Sequence, residues 1–497
     1  MKINKVWLGG LVTVFSILSA WLAYDAINSI GWFKPKPNII YILTDDLDFT
    51  LMPYLPNVDQ LITKQGASFT NYFVTSPLCC PSRASGLRGQ YPHNTNILDN
   101  SPGFVNFFRN GREAESLAPW LNRVGYKTSM IGKYLNGYPV NAGQHYIPPG
   151  WTDWHAFMNQ YDSETGTHYY YNYVMNENGK LVTYGEAPKD YSTDVMANQS
   201  LEFINASVKA RSPFFLYLSL KAPHGPSIGA PRHLNLDKDL KYPLKPSFQE
   251  ADVSDKPSTT IELARGGDEF DVYDANALFV RRVQSMLSVD EMVKQIVDLL
   301  KQTGQLDNTY IMFTSDNGFH MGEHGLPAGK DYPYDEDLHV PFIVRGPGIQ
   351  PNTQITQMTA NIDLAPTIDD IVNIKHADFI DGRSWMPFLH PQAGAPQPAW
   401  RKSLLIETGY ADDKTAKLVY RAVRAENFIY VEYKDGELEY YDLVKDPYEL
   451  NNLALKLGQT TKTNLHNWLE ELKTCKAETC RQAEMAVPSD LKTPVYP

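Results

Sequence analysis

The sequence is short of cysteine, short of basic charge, and free of repeats and low-complexity tracts. Its 4 cysteines in 497 residues leave room for one local pairing. Cys475 and Cys480 flank four mostly polar residues near the C-terminus and read as a disulfide closed in an oxidising compartment. Cys79 and Cys80 are adjacent, and a disulfide between neighbours is strained. They need another role. The 45 Lys and Arg against 57 Asp and Glu leave a net charge of −12, which excludes general nucleic-acid binding. Any anionic ligand must therefore meet a local basic pocket, against a global field that repels it. The absence of a fixed period excludes solenoids and propellers.

One stretch lacks charge altogether. Val6 to Tyr24 carries none, and it is long enough to span a hydrocarbon core as a helix. Lys2 and Lys5 before it, with Asp25 after it, place the remainder outside the cytoplasm. Only Ala20 and Ala23, among bulky neighbours, offer a cleavage site. Residues 1–35 thus read as a signal-anchor or a signal peptide ahead of the Lys34–Pro37 linker. The expected location is periplasmic, extracellular or lumenal, with membrane attachment through this helix where it stays uncleaved.

The rest divides by texture. Asn38–Leu43, Phe214–Leu220, Thr309–Thr314 and Pro341–Val344 are short apolar runs rich in β-branched and aromatic residues, the pattern of strands buried on both faces. Helical periodicity lies between them, most clearly at Ala275–Gln302. The alternation predicts an α/β fold with a large, mostly parallel sheet sandwiched by helices over residues 36–390. From 391 to 497 the pattern becomes short strands, at Leu404–Glu407, Leu418–Val423, Phe428–Tyr433 and Leu438–Tyr441, with a hairpin signal at Lys434-Asp435-Gly436. This predicts a smaller antiparallel α+β subdomain closed by a helix around Trp468–Leu472. Ser227–Glu269, rich in Pro, Asp, Lys and Gly, reads as an unpatterned insertion of the kind that shapes specificity.

Ligands of such sheets bind at the carboxyl ends of strands. The acids are there: Asp45-Asp46 after the first run, Asp316-Asn317 after Thr309–Thr314. Between the two pairs stands Cys79-Cys80-Pro81-Ser82-Arg83, with Leu87 and Gly89 behind it. Pro81 is placed like a first helical residue, where its missing N–H costs nothing. The free N–H groups and dipole of that helix start favour an anion. Arg83 adds a planar, permanently charged donor.

The Cys-x-Pro-Ser-Arg core followed by Leu-x-Gly resembles the pattern on which sulfatases have the first cysteine oxidised to formylglycine. From Pro37 to Asn452 the chain looks like a sulfatase of the alkaline-phosphatase-like superfamily. The resemblance implies formylglycine at Cys79, made by a formylglycine-generating enzyme, and metal ligands at Asp45, Asp46, Cys79, Asp316 and Asn317. An all-oxygen shell of this kind points to Ca²⁺, with Mg²⁺ as the lesser choice. It also implies sulfate-binding and catalytic roles for Arg83, Lys133 (in Ile-Gly-Lys-Tyr), His224 (in Ala-Pro-His-Gly-Pro) and Lys330 (in Ala-Gly-Lys), with Asp316 the candidate base. Asp363–Thr367 and Asp381-Gly382-Arg383-Ser384 match the closing segments of the family's main domain.

The Cys-Cys-Pro-Ser-Arg-Ala-Ser, Tyr91–Asn94 and Gly132–Asn136 motifs, and the terminal cysteine pair, are similar to the glucosamine-6-sulfatase branch. The substrate this implies is a sulfated carbohydrate, a 6-O-sulfated N-acetylglucosamine or glucosamine. Two alternatives stand beside it: an arylsulfatase or a phosphate or phosphonate monoester hydrolase on the same fold, and a non-catalytic binder of sulfated glycans. Three positions depart from the family pattern. Leu135 stands where many sulfatases place a histidine, leaving the base for sulfate release unassigned. Tyr334-Asp335 and His339-Val340-Pro341 replace Tyr-Glu and Arg-Val-Pro.

Overall fold

The computed structural model describes residues 35–158, 169–236, 238–266, 270–392, 394, 396–409, 419–488 and 491. Val6–Tyr24 lies outside the described residues, among which no helix is long and apolar enough to cross a membrane. The main sheet has ten strands: β1 (Asn38–Asp45), β2 (Ala67–Phe69), β3 (Lys127–Gly132), β4 (Asp153–Phe157), β5 (Val174–Glu177), β6 (Lys180–Thr183), β7 (Phe214–Pro223), β8 (Thr309–Ser315), β9 (Phe342–Arg345) and β10 (Thr353–Ile355). Their spatial order is β10-β2-β9-β8-β1-β7-β3-β4-β5-β6.

The centre, β8-β1-β7-β3-β4, is parallel throughout. β1 and β7 are buried at every position, as their unbroken apolar runs require. One expected strand runs the other way: β9 is antiparallel to both β8 and β2. A parallel neighbour needs a crossover, usually helical. The chain from 316 to 341 holds only a four-residue helix and folds back over the strand ends instead.

Helices cover both faces. α1 (Cys79–Arg88) and α4 (Leu364–Val372) contribute Ala84, Leu87, Leu364, Ala365 and Ile368 to the core on one side. α2 (Ser192–Lys209) and α3 (Val272–Gln302) cover the other. In α3, Ala275, Phe279, Val283, Met286, Val293 and Leu300 recur at helical spacing and are buried. Asp271 caps it through the Tyr273 and Asp274 amides, a device whose loss costs about 1 kcal/mol.

The C-terminal sheet is antiparallel, in the order β11 (Ser403–Thr408), β12 (Tyr420–Ala425), β13 (Phe428–Tyr433), β14 (Leu438–Asp442). Gly436 turns the β13–β14 hairpin at φ +94°. α5 (Gln459–Thr474) packs Leu465, Trp468, Leu469 and Leu472 on this sheet. Cys475 and Cys480 are bonded, while Cys79 and Cys80 are free and buried. The Ser227–Glu269 segment departs from expectation in one respect: a helix, Ser258–Gly266, forms near its end. Residues 237 and 267–269 of it lie outside the described residues.

Candidate active site

A strand buried on both faces cannot carry a charge at mid-length without desolvating it, so the acids collect where the strands stop. Asp45 ends β1, and Asp46 follows at φ +70°, a left-handed conformation that Asp tolerates better than most residues. Asp316 and Asn317 follow β8, Lys133 follows β3, and His224 follows β7. α1 brings Cys79 and Arg83 to the same edge. Cys79 itself opens that helix, placing Pro81 third rather than first, still within the turn that needs no donor there.

These side chains converge. Lys133 Nζ donates to Asp45 Oδ2 at 2.5 Å, and Lys330 Nζ donates to Asp46 Oδ1 and lies 2.9 Å from Cys79 Sγ. Cys79 Sγ is 3.5 Å from Asp45 Oδ1. Arg83 is locked by three partners: Nε donates to Asp316 Oδ2 at 2.8 Å, and Nη1 donates to Lys133 O at 2.9 Å and to Ser219 Oγ. Its Nη2 is buried without a hydrogen-bond partner, 3.6 Å from Asp45 Oδ2. His224 Nε2 faces Asp46 Oδ2 at 3.8 Å.

Burial and mutual charge set the protonation of the cluster. Burial pushes Asp45 up, but Lys133, His224, Arg83 and Lys330 outweigh it and hold the carboxyl well below the ordinary range. Asp46 is held down too, with burial opposed by Lys330 and His224. Asp316 goes up, because burial and Asp45 exceed the pull of Arg83. Burial, with Asp45 adding to it, raises the Cys79 thiol to about 12. A thiol so placed supplies almost no thiolate at neutral pH. The unmodified sulfur is a poor nucleophile here.

The donor set fits a hard cation. Asp45 and Asp46 supply the oxygen donors of a cluster that, with Cys79 and His224, spans no more than 4.8 Å. Asp316 Oδ1 accepts from the Asp46 amide at 3.2 Å, and Asn317 Nδ2 donates to Asp46 Oδ1 at 2.7 Å. Asn317 Oδ1 is buried without a partner. A buried amide oxygen left without a donor, beside two carboxylates, suits an oxygen-seeking cation.

Every site residue expected from the sequence joins this cluster. The motif residue His93 does not. It bonds Glu407 Oε2 (2.7 Å) and Cys475 O (2.9 Å), tying the main sheet's side of the molecule to the C-terminal sheet. Leu135 points into the apolar core and is 3 % exposed, so that position handles no proton. Two partners were missed. Ser219 Oγ donates to Lys133 O at 2.6 Å while accepting from Arg83. Lys221, buried, lies with Nζ 2.9 Å from His224 Nδ1. Lys221 stands one residue past the apolar run Phe214–Leu220, and only the structure extends the buried strand through it to Pro223. A cavity of about 390 Å³ lined by Lys127, Asp153, His155 and Gln199 lies toward the other end of β3.

A buried cysteine with Arg83, Lys133 and Lys330 about it, beside the side chains of Asp45, Asp46, Asp316 and Asn317 at the carboxyl edge of a doubly covered sheet, is an arrangement suited to an oxyanion ester. The comparisons narrow the class. Residues 37–374 match the family model described as Sulfatase, and 322–475 match that of the N-sulphoglucosamine sulphohydrolase C-terminal region. The N-acetylglucosamine-6-sulfatase of Capra hircus is 34% identical over 486 residues, covering 90% of this chain and 85% of that protein. A putative extracellular sulfatase Sulf-1 homolog of Caenorhabditis elegans is 37% identical over 399 residues, 77% of this chain, which spans 54% of its length. A solved structure in complex with its substrate D-glucosamine-2-N,6-O-disulfate superposes with a TM-score of 0.73 at 24% identity, covering 90% of this chain and 99% of that one. The chain belongs to the sulfatase family.

Proposed function

We propose that this protein hydrolyses the sulfate ester of a sulfated sugar, with 6-O-sulfated N-acetylglucosamine or glucosamine as its substrate. The observation that carries the reading is the gathering of Arg83, Lys133 and Lys330 about Cys79 and its acids: two buried cations and one half-buried cation for one tetrahedral sulfate monoester. Relatives of up to 34% identity that are N-acetylglucosamine-6-sulfatases support the choice of sugar.

Converted to formylglycine, residue 79 would supply a hydrated aldehyde, an oxygen nucleophile toward sulfur with a second hydroxyl for the release of sulfate. A calcium ion held by Asp45, Asp46, Asp316, Asn317 and residue 79 would supply fixed positive charge at the nucleophile. The chain's own groups do the rest. Arg83 cannot swing, because Asp316, Ser219 and Lys133 O hold three of its donors, and its fourth side, Nη2, remains to bond a sulfate oxygen. Lys133 and Lys330 add charge on either side. Donors fixed before the reaction need no reorganisation as charge shifts among the sulfate oxygens. Asp316 serves as base toward the hydroxyl, and His224 gives a proton to the departing sugar oxygen.

The test is a panel of mono- and disaccharides sulfated at single positions, assayed beside an aryl sulfate and its phosphate analogue. Fastest turnover of the 6-O-sulfate is expected. Preference for a 2-O- or 4-O-sulfate, or for the aryl ester over every sugar, removes the substrate assignment. Preference for phosphate removes the sulfatase reading.

A further inference from the structure

His224 meets two groups at one nitrogen. Lys221 Nζ lies 2.9 Å from Nδ1, and the carbonyl of Gly225 lies 2.8 Å from the same atom. An ammonium donates and cannot accept, so the nitrogen it bonds is the unprotonated one. The ring proton then sits on Nε2, the nitrogen that faces the site. A ring in that form can release its Nε2 proton only as a second proton arrives at Nδ1, because the alternative is an imidazolate. Lys221 is the group in place to supply it. It is 3 % exposed, rests over the Tyr169 ring at 5.5 Å, and stands on the strand that delivers His224.

We propose that Lys221 is a positioning residue that fixes the His224 tautomer and hands Nδ1 a proton as the Nε2 proton passes to the departing sugar oxygen. The inference rests on the sulfatase reading above. The step balances: Nζ–H breaks as Nδ1–H forms, and Nε2–H breaks as the alcohol O–H forms. The electron pair of the cleaved S–O bond stays on the alcohol oxygen, and Lys221 is left as a neutral amine. Sulfate release returns a proton along the same two nitrogens. The pair therefore also fills the base role that Leu135, buried in the core, leaves open.

The rival is Gly225 O, which would place the proton on Nδ1 and leave Lys221 a bystander. Leaving-group dependence separates the two. Full-length protein carrying the converted residue 79 is assayed as wild type and as Lys221→Met, from 4-nitrophenyl sulfate to N-acetylglucosamine 6-sulfate. Nitrophenolate leaves without a proton; a sugar alkoxide does not. The expected loss is within about 3-fold on the aryl ester and about 100-fold on the sugar ester, the scale of general acid catalysis. Lys221→Met placed on His224→Ala should add no further selective loss. Where Lys221→Met fails to fold, Lys221→Gln replaces it, and ¹⁵N NMR of His224 in the wild type reads the tautomer without turnover. Equal loss on every ester, or a protonated Nδ1 in the wild type, overturns the relay alone. A wild type inert on every sulfate ester overturns the sulfatase reading and the relay with it.

Discussion

Arg83→Lys keeps the charge at the centre of the site and removes the fork, so it separates charge from geometry. Arg83 donates to Asp316 Oδ2, Lys133 O and Ser219 Oγ, and its buried Nη2 has no hydrogen-bond partner in the protein. A lysine ammonium at the end of a flexible stem can reach one of these sites, not all. Two consequences follow in different assays. Losing one fixed donor to the sulfate oxygens costs about 2.7–4 kcal/mol in the transition state, or about 100- to 1000-fold in kcat. Stability falls by about 2–4 kcal/mol, because a hydrogen bond to a charged group is worth about 1.5–3 kcal/mol and the Lys133 carbonyl and Ser219 hydroxyl lose their shared donor. The measurements are kcat and KM on an aryl sulfate and urea unfolding of the same preparation. A variant within about threefold of wild-type kcat, with unfolding unchanged, would refute the claim that Arg83 acts through fixed geometry.

Asp45→Asn and Asp316→Asn each remove a negative ligand, so both should cut activity by orders of magnitude and lower calcium retained after gel filtration; full activity after exhaustive chelation, with no tightly held ion, counts against a metal. Arg401 is fully buried between Asp363 and Glu484, so Arg401→Met takes the cation from buried Asp363 and leaves Glu484 with Arg383 alone, and should lower unfolding free energy by about 3–5 kcal/mol, a value that denaturant titration reads directly. Burial lowers the His93 pKa but Glu407 outweighs it, raising it from 6.5 to about 9. A raised folded pKa gives stability that is fully present below 6.5 and lost as pH rises through about 9. The stability gap between wild type and His93→Gln should therefore be widest near pH 6 and narrow by pH 9, by up to about 3 kcal/mol. A constant gap across that range would mean the Glu407 pair is neutral throughout.

The strands and acids were legible because burial leaves few choices. A short, β-branched run such as Asn38–Leu43 reads as a strand buried on both faces, and the charges that follow it fall at its end. α3 was legible from its spacing over Ala275–Gln302, while its first turn and its Asp271 cap came only with the structure. The direction of β9 was not, since it depends on where the 316–341 connection folds, and that segment has neither strand nor long-helix pattern. His93 shows another limit. A histidine in a motif reads the same whether it faces a substrate or a buried glutamate, and only the fold brings Glu407 to it across more than three hundred residues. Lys221 was hidden differently. A lysine three residues before a histidine reads as a solvated charge until the strand around it is known to be buried.

The central claim is that the reacting atom is not the sulfur of Cys79. A thiol raised to about 12 between Asp45 and Lys330 is protonated at neutral pH. The direct measurement is the mass of the Cys79 peptide from protein of known specific activity, with carbonyl labelling alongside. The account predicts an aldehyde at position 79, a thiol at Cys80, and activity proportional to the aldehyde fraction. Cys79 found as an unmodified thiol in fully active protein would contradict it.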